Sequence, residues 1–313
     1  KGLRMFSKKM EKLFGANARH PDDMITKFHC DVASSIQKVL EEILQRCVKF
    51  ALMKTGKKQL VMAGGVALNC VANSTLREII DVGNIFIQPA AGDAGGALGA
   101  AILAKIENGI EDFTLTSSNK SFKFDHAFLG TSYSNQQILE SLKERGLTSM
   151  EILDLDILAD RVTEIIINGG VVGWFQGRME YGPRALGARS ILADPRNVDM
   201  QKRLNVKIKN RESFRPFAPM VLADCVSEWF EWPKSVPTPY MLFTSNVLNK
   251  HRRGVDNTFP ESRLLTEWVA RTRSLIPAVT HVDFSARIQT VDCDNPAYNV
   301  LKKFYEKLMY RCS

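Results

Sequence analysis

What the chain lacks already narrows its class. No apolar run approaches the ~20 residues that a membrane-spanning helix needs, so an integral membrane protein is not expected. There is no basic–apolar–small leader at the start, where Lys1–Lys12 is charged throughout. The six cysteines, Cys30, Cys47, Cys70, Cys225, Cys293 and Cys312, include no CxxC and no zinc-like spacing. In a chain of 313 residues they read as free thiols in a reducing cytoplasm. Histidine is scarce: only His20, His29, His126, His251 and His281 occur, and none stand four apart. Ser190 has no nearby histidine for a catalytic triad, and the acids show no obvious two-carboxylate arrangement, which sets aside two common kinds of hydrolase. Internal repeats and low-complexity tracts are absent as well.

What is present is ordinary in bulk and uneven in detail. Apolar residues at 45% and charged residues at 24% are the proportions of a soluble globular protein, which excludes collagen, coiled coil and disorder as the main state. The length suits roughly two domains. The formal charge is +8, which calls for an anionic partner, either phosphate or nucleic acid. Its placement says more than its size. Residues 176–215 carry ten basic side chains against the four acids Glu180, Asp194, Asp199 and Glu212, so six of the eight net charges fall in that stretch.

Hydrophobic spacing predicts an α/β chain. Ile25, Phe28, Val32, Ile36, Val39, Ile43 and Val48 recur at helical intervals over 24–54, and Gly56 stops the run. Short apolar runs predict buried strands at 59–63 and 84–88, each followed by a glycine loop and a helix, at 68–80 and 94–106. Residues 111–125 change to a polar, unperiodic stretch and read as a linker between residues 1–110 and 126–313. Beyond it the pattern predicts helices at 135–143, 157–168, 199–207 and 296–310. It predicts strands at 170–175, 217–223, 240–245 and 286–291, with a glycine-rich loop at 176–188.

The first glycine loop reads AGGVALN over 63–69, and the second QPAAGDAGGA over 88–97. Each joins a predicted strand to a helix. Paired glycines let backbone approach a ligand, and a helix start offers unpaired N–H groups to an anion. Taken alone, Asp93 at a helix start is more often a cap than a ligand. The third motif is GWFQGRMEYGPRALGARS over 173–190, followed by LNVKIKNRESFRPFAP over 204–219. Arginine forks match phosphate and carboxylate, and glycines bring N–H groups to the same anion. A single arginine is most often solvated surface. Ten cations among Gly-Pro-Arg turns argue instead for a pocket, with Lys202, Arg203 and Lys207 left to solvent.

These strings resemble the O-carbamoyltransferases of the NodU/CmcH/TobZ family, most closely over 61–100 and 173–221 and more loosely over nearly the whole chain. The resemblance implies a partial actin- and sugar-kinase-like ATPase domain in residues 1–110, followed by a YrdC-like α/β domain in 126–313. It implies ATP-dependent O-carbamoyl transfer: carbamoyl-adenylate forms from carbamoyl phosphate and ATP, then passes its carbamoyl group to a hydroxyl of a sugar or natural-product acceptor. By position, Arg178, Arg184, Lys209, Arg211 and Arg215 carry the adenylate-forming chemistry. Gly64, Gly65, Val66, Asn69, Gly95, Gly96, Asn205 and Arg287 line the nucleotide, and Asp93 binds the acceptor-site metal, Fe2+ or Mg2+. Glu180 and Glu212 are expected to orient arginines. The family's upstream HxxxH pair and its C-terminal motif are not found, so the metal site is expected to be incomplete here and the chain to be part of a longer enzyme, with a natural short form left open. Phe284 and Ser285 stand where the family usually has Gly-Thr.

Two other readings stay open. One is a YrdC-like module that binds RNA or tRNA through the basic stretch. RNA readers interleave exposed aromatics with their cations, whereas Phe175, Phe214 and Phe217 fall at apolar strand positions and read as core, so nucleic acid is not the expected partner. The other is a catalytically incomplete fragment that keeps nucleotide affinity. The expected location is the cytoplasm, with no membrane partner; a homodimer stays open.

Overall fold

The computed structural model describes residues 7–20, 22–109, 124, 126–254, 258 and 265–309. After a short helix α1 (Lys8–Phe14), the long helix α2 runs from Lys27 to Thr55, where the Gly56 N–H caps the Leu52 carbonyl at 2.9 Å. Its Leu44, Val48 and Leu52 pack on Leu76 and Ile80. Strands β1 (Leu60–Met62) and β2 (Ile85–Ile87) pair in parallel, Met62 opposite Ile87, so both glycine loops leave the same edge of the sheet. Residues 68–80 are not one helix. A 3-10 turn at Gly65–Leu68, a short helix α3 (Cys70–Thr75) and a second 3-10 turn at Leu76–Glu78 divide the span. Helix α4 (Asp93–Glu107) follows the second loop.

The predicted linker lies outside the described residues except at Phe124. Beyond it come α5 (Asn135–Glu144) and α6 (Leu155–Ile167), both capped by residues the sequence supplies, Ser134 and Asp154. Strand β3 (Val171–Phe175) pairs antiparallel with β4 (Arg189–Ala193), Gly173 opposite Ile191. The basic loop 176–188 is therefore a hairpin connection. Helix α7 (Met200–Arg203) runs into a π-turn at Leu204–Ile208, where the Lys209 N–H reaches back to the Leu204 carbonyl at 2.9 Å. Then follow β5 (Met220–Leu222), α8 (Val226–Trp229), β6 (Thr244–Asn246), α9 (Leu265–Val269), β7 (Ser285–Arg287), β8 (Gln289–Val291) and α10 (Tyr298–Met309). β5 pairs in parallel with β8, and β6 antiparallel with β7. The result is a mixed α/β chain with small two-stranded sheets among the described residues.

One core draws on both sides of the predicted linker. Ala67, Val82, Ile87 and Ala91 pack with Val221, Phe230, Trp232, Leu242, Phe243 and Ile288. Burial of this apolar surface is the main stabilising term. Polar bolts cross the same seam. The Asn73 amide donates to the Ala67 carbonyl (2.8 Å) and to the Leu242 carbonyl (3.0 Å), and the Thr244 N–H donates to Ser74 Oγ (2.7 Å). A second cluster joins α6, Trp174 of β3 and Val300 of α10. No helix among the described residues is long and apolar enough to cross a membrane.

Candidate functional site: an arginine cluster where three loops meet

The two glycine loops lie side by side, with the Gly64 N–H on the Ala91 carbonyl at 2.7 Å. Val66 is half exposed, and around Gly65 and Gly96 there is open space. Gly95 has a packing reason instead: a Cβ there would sit 2.4 Å from the Ala90 carbonyl oxygen. Asn69 caps α3 through the Ala72 N–H (3.1 Å) and exchanges hydrogen bonds with Gln37 on α2. In this structure its carboxamide serves the loop itself.

Asp93 is not a cap. Gly92 occupies the N-cap position of α4, and Asp93 stands one residue inside, exposed. Among the described residues no three His, Cys, Asp or Glu side chains group closely enough to hold a metal. The donor set around Asp93 does not fit a divalent ion.

The basic loop packs directly on the second glycine loop. Gly182 takes φ +123°, a conformation few side chains adopt, and its Cβ position would meet the Pro89 carbonyl at 2.7 Å. The Tyr181 hydroxyl donates to the Ala94 carbonyl. Next to these, Arg184 Nη2 donates to the Leu68 carbonyl of the first loop at 2.6 Å. All three motifs thus meet at one place.

Much of the loop's charge is spent on shaping it. Glu180 is buried, and its Oε1 accepts the N–H groups of Leu186 (2.8 Å), Ala188 (2.7 Å) and Arg189 (3.0 Å). Burial pushes its carboxyl up, but these bonds outweigh it and hold the group below the usual carboxylate range. Glu180 therefore orients backbone, not arginine side chains. Glu212 does what was expected of it and pairs with Arg215 Nε at 2.8 Å. Arg178 donates to the carbonyls of Gly130 and Leu129, each at 3.1 Å. Arg189 donates to the carbonyls of Gln176, Gly177, Ala188 and Thr131, with its guanidinium 3.5 Å above the Phe175 ring. Phe175 is half exposed, contrary to its expected place in the core, because it lies on the outer face of β3 beneath that guanidinium. Phe217 does pack against the core.

The remaining cations gather around Arg287. Burial and then Arg287 both press the Arg184 pKa down, with Cys70 opposing. Burial, Arg215 and Arg287 do the same to Arg211, with Glu212 opposing. Arg287 is thus close enough to repel both Arg184 and Arg211, Arg215 also presses on Arg211, and Glu212 is paired with Arg215. Arg184 Nη1 is buried and has no hydrogen-bond partner. Arginine does not shed its charge, so such a cluster is relieved by an anion. Asn205 is fully buried and shapes it. Its amide donates to the carbonyls of Ser213 (3.1 Å) and Arg215 (2.7 Å), and its Oδ1 accepts from Arg211 Nε at 2.7 Å. Lys209 is exposed beyond the π-turn.

Arg287 sits in β7 opposite Thr244, just after a tight turn. Within that turn Phe284 adopts φ +66°, a left-handed backbone that favours glycine. Its carbonyl accepts from the Val247 N–H and its N–H donates to the His281 carbonyl, which hold it there. His281, missed in the sequence reading, shares this turn and feels Arg287; its spacing in His281-Val-Asp-Phe-Ser-Ala-Arg287 was the available signal. A separate cavity of ≈790 Å³, lined by Ile191, Met220, Phe304 and Tyr305 among others, holds none of the predicted site residues.

The chain belongs to the carbamoyltransferase family: a model described as Carbamoyltransferase N-terminus matches residues 1–102, and one described as Carbamoyltransferase C-terminus matches residues 163–312. Among its curated relatives, an uncharacterized protein of Synechocystis sp. is 44% identical over 311 residues, 98% of this chain and 49% of that protein. The nodulation protein NolO of Bradyrhizobium diazoefficiens is 37% identical, covering 89% of this chain and 47% of its own length. The 3'-hydroxymethylcephem-O-carbamoyltransferase of Amycolatopsis lactamdurans is 30% identical, covering 91% and 45%. The chain spans about half the length of these relatives.

Proposed function

We propose that the arginine cluster binds the phosphates of carbamoyl phosphate and ATP, and that this part of the enzyme forms carbamoyl-adenylate for transfer to a hydroxyl-bearing acceptor. The observation that carries the reading is the buried and unpartnered Arg184 Nη1, with Arg287 pressing on both Arg184 and Arg211 and Arg215 pressing on Arg211. On this reading residues 1–110 belong to an actin- and sugar-kinase-like ATPase domain and residues 126–313 to a YrdC-like one. The family membership supports it, and one relative's name describes O-carbamoyl transfer.

The chemistry follows from the charges. Two polyanions must lie together, and fixed guanidinium groups offset their repulsion and stabilise the charge that develops in transfer. Water displaces inorganic phosphate from carbamoyl phosphate, leaving carbamate; one of the water's protons leaves on the phosphate and the other passes to solvent. A carbamate oxygen then attacks the α-phosphorus of ATP, and pyrophosphate departs. The positioned arginines hold and orient the two anions. Asp93 alone does not make a metal site, so no transfer step is assigned to a metal. The N-terminal glycine loops contact the basic loop through Tyr181, Gly182 and Arg184, which supports a reading in which the two halves of the reaction are neighbours.

Calorimetry on this chain tests the reading. Carbamoyl phosphate and ATP each bind, and both affinities fall in Arg184→Ala. Binding of neither ligand sinks it. A salt-steep gel shift with tRNA, in place of binding to either ligand, favours the RNA-binding alternative.

A further inference from the structure

His281 stands by Arg287 and has no task in the mechanism above. Its hydrogen bonds fix where its proton lies. Asp283 Oδ1 accepts from the Ser285 N–H (3.0 Å) and from the Ser285 hydroxyl (2.7 Å). The hydroxyl has a single hydrogen, and an ionised carboxylate has none to give. At its 3.0 Å contact with His281 Nδ1, Ser285 Oγ must then accept, so Nδ1 carries the hydrogen. Burial lowers the pKa of the ring; Asp283 opposes this and Arg287 adds to it, and the balance favours neutral imidazole. The other nitrogen, Nε2, is left as a bare lone pair, closed to solvent and without a hydrogen-bond partner.

An enclosed acceptor without a donor is a standing cost that a ligand N–H relieves. Phosphate oxygens held by arginines offer no such hydrogen. Of the two proposed anionic substrates, carbamoyl phosphate carries an amide on the carbon next to its phosphate. We infer that His281 Nε2 accepts an N–H of the carbamoyl group, and that it thereby selects carbamoyl phosphate over acyl phosphates of the same shape that lack the amide. The inference rests on the carbamoyl phosphate reading. Reaching Nε2 takes a local shift, and Arg287 has no hydrogen bond or ion pair among the described residues to break. The amino and hydroxyl groups of ATP are the other available donors, which the experiment separates.

The test is calorimetry on the full chain with carbamoyl phosphate, acetyl phosphate and ATP in turn. It compares the unmodified protein, His281→Ala and Ser285→Ala, with thermal melts to confirm folding. The unmodified protein should prefer carbamoyl over acetyl phosphate by about ten-fold, the worth of one well-made hydrogen bond. His281→Ala should bring the two within about two-fold by weakening carbamoyl phosphate alone. Ser285→Ala, which frees the proton to move between the ring nitrogens, should fall between, and it carries the test if His281→Ala does not fold. An undiminished preference in both variants overturns the inference. So does a loss confined to ATP, which assigns the lone pair to the nucleotide. Equal binding of the two acyl phosphates by the unmodified protein overturns the inference alone; binding of neither overturns the function it rests on as well.

Discussion

Arg184 donates to the main-chain carbonyl of Leu68 at 2.6 Å, across 116 positions of sequence. One nitrogen of the guanidinium therefore anchors the basic loop to the first glycine loop. Another, Nη1, is buried with nothing to bond. The residue is a strut with a spare buried donor, and on the proposed reading that donor meets the ligand, which makes it the sharpest probe of the site.

Arg184→Ala should lower carbamoyl phosphate affinity by at least about ten-fold, since a charge-assisted hydrogen bond contributes about 1.5–3 kcal/mol. Arg184→Lys keeps the charge and loses the fork, and it should recover only part of that loss. In a full-length relative with the same loop, ATP–pyrophosphate exchange should fall in the same order. Normal exchange in the alanine variant would remove Arg184 from the reaction.

Glu180→Gln should destabilise the fold by about 2 kcal/mol, because a charged acceptor of three backbone N–H groups becomes a neutral one. The folded pKa of Glu180 lies below its unfolded value. Its contribution is therefore present at neutral pH and is lost as pH falls through the folded value. Urea midpoints of the protein and the variant should converge in acid. Parallel curves would mean that Glu180 does not carry this charge-dependent stability.

Phe284 lets backbone strain be separated from side-chain contact. Its ring lies 5.3 Å from the Arg252 guanidinium, and both Ala and Gly remove that contact. Only Gly removes the penalty of φ +66°. Phe284→Gly should be more stable than Phe284→Ala by about 1 kcal/mol in denaturant titrations. Equal midpoints would show that the turn relaxes elsewhere.

His281 gives a second pH signature of opposite chemistry. Its folded pKa lies below the unfolded value of about 6.5. As pH drops below that value, the unfolded chain takes up a proton that the folded chain resists, so stability falls. His281→Gln should flatten the decline in urea midpoint between about pH 7.5 and 5.5. An unchanged slope would mean that the ring does not titrate in the unfolding reaction.

Features set by local pattern were legible in the sequence. The long α2 follows from apolar spacing and the glycine that ends it. The helix predicted at 135–143 is Asn135–Glu144, whereas the one predicted from 157 begins at Leu155, because the Asp154 side chain caps it two residues earlier. The cations of the basic loop were legible as a group because their excess is local. Their convergence on Arg287 was not, because the β6–β7 pairing that positions that residue is a tertiary fact. β4 was hidden because Arg189 and Ser190 open it and its apolar run is short. Asn205 was read as a ligand donor because nothing in its neighbours reveals that two carbonyls, of Ser213 and Arg215, would claim its amide. Asp93 failed as a cap by one residue, which sequence patterns do not resolve.

The seam between loops has a consequence for recombining family members. Gly182 lies where any Cβ would strike the Pro89 carbonyl, Tyr181 reaches the Ala94 carbonyl, and Arg184 reaches the Leu68 carbonyl. All three contacts end on main-chain oxygens whose positions depend on how the partner loop is built, and the one at Gly182 leaves no room for a side chain. A chimera cut between residues 110 and 126 would join halves whose loops were never fitted to each other. Exchanging either loop region between relatives should therefore keep the fold best when residues 63–97 travel together with residues 176–190 as one cassette.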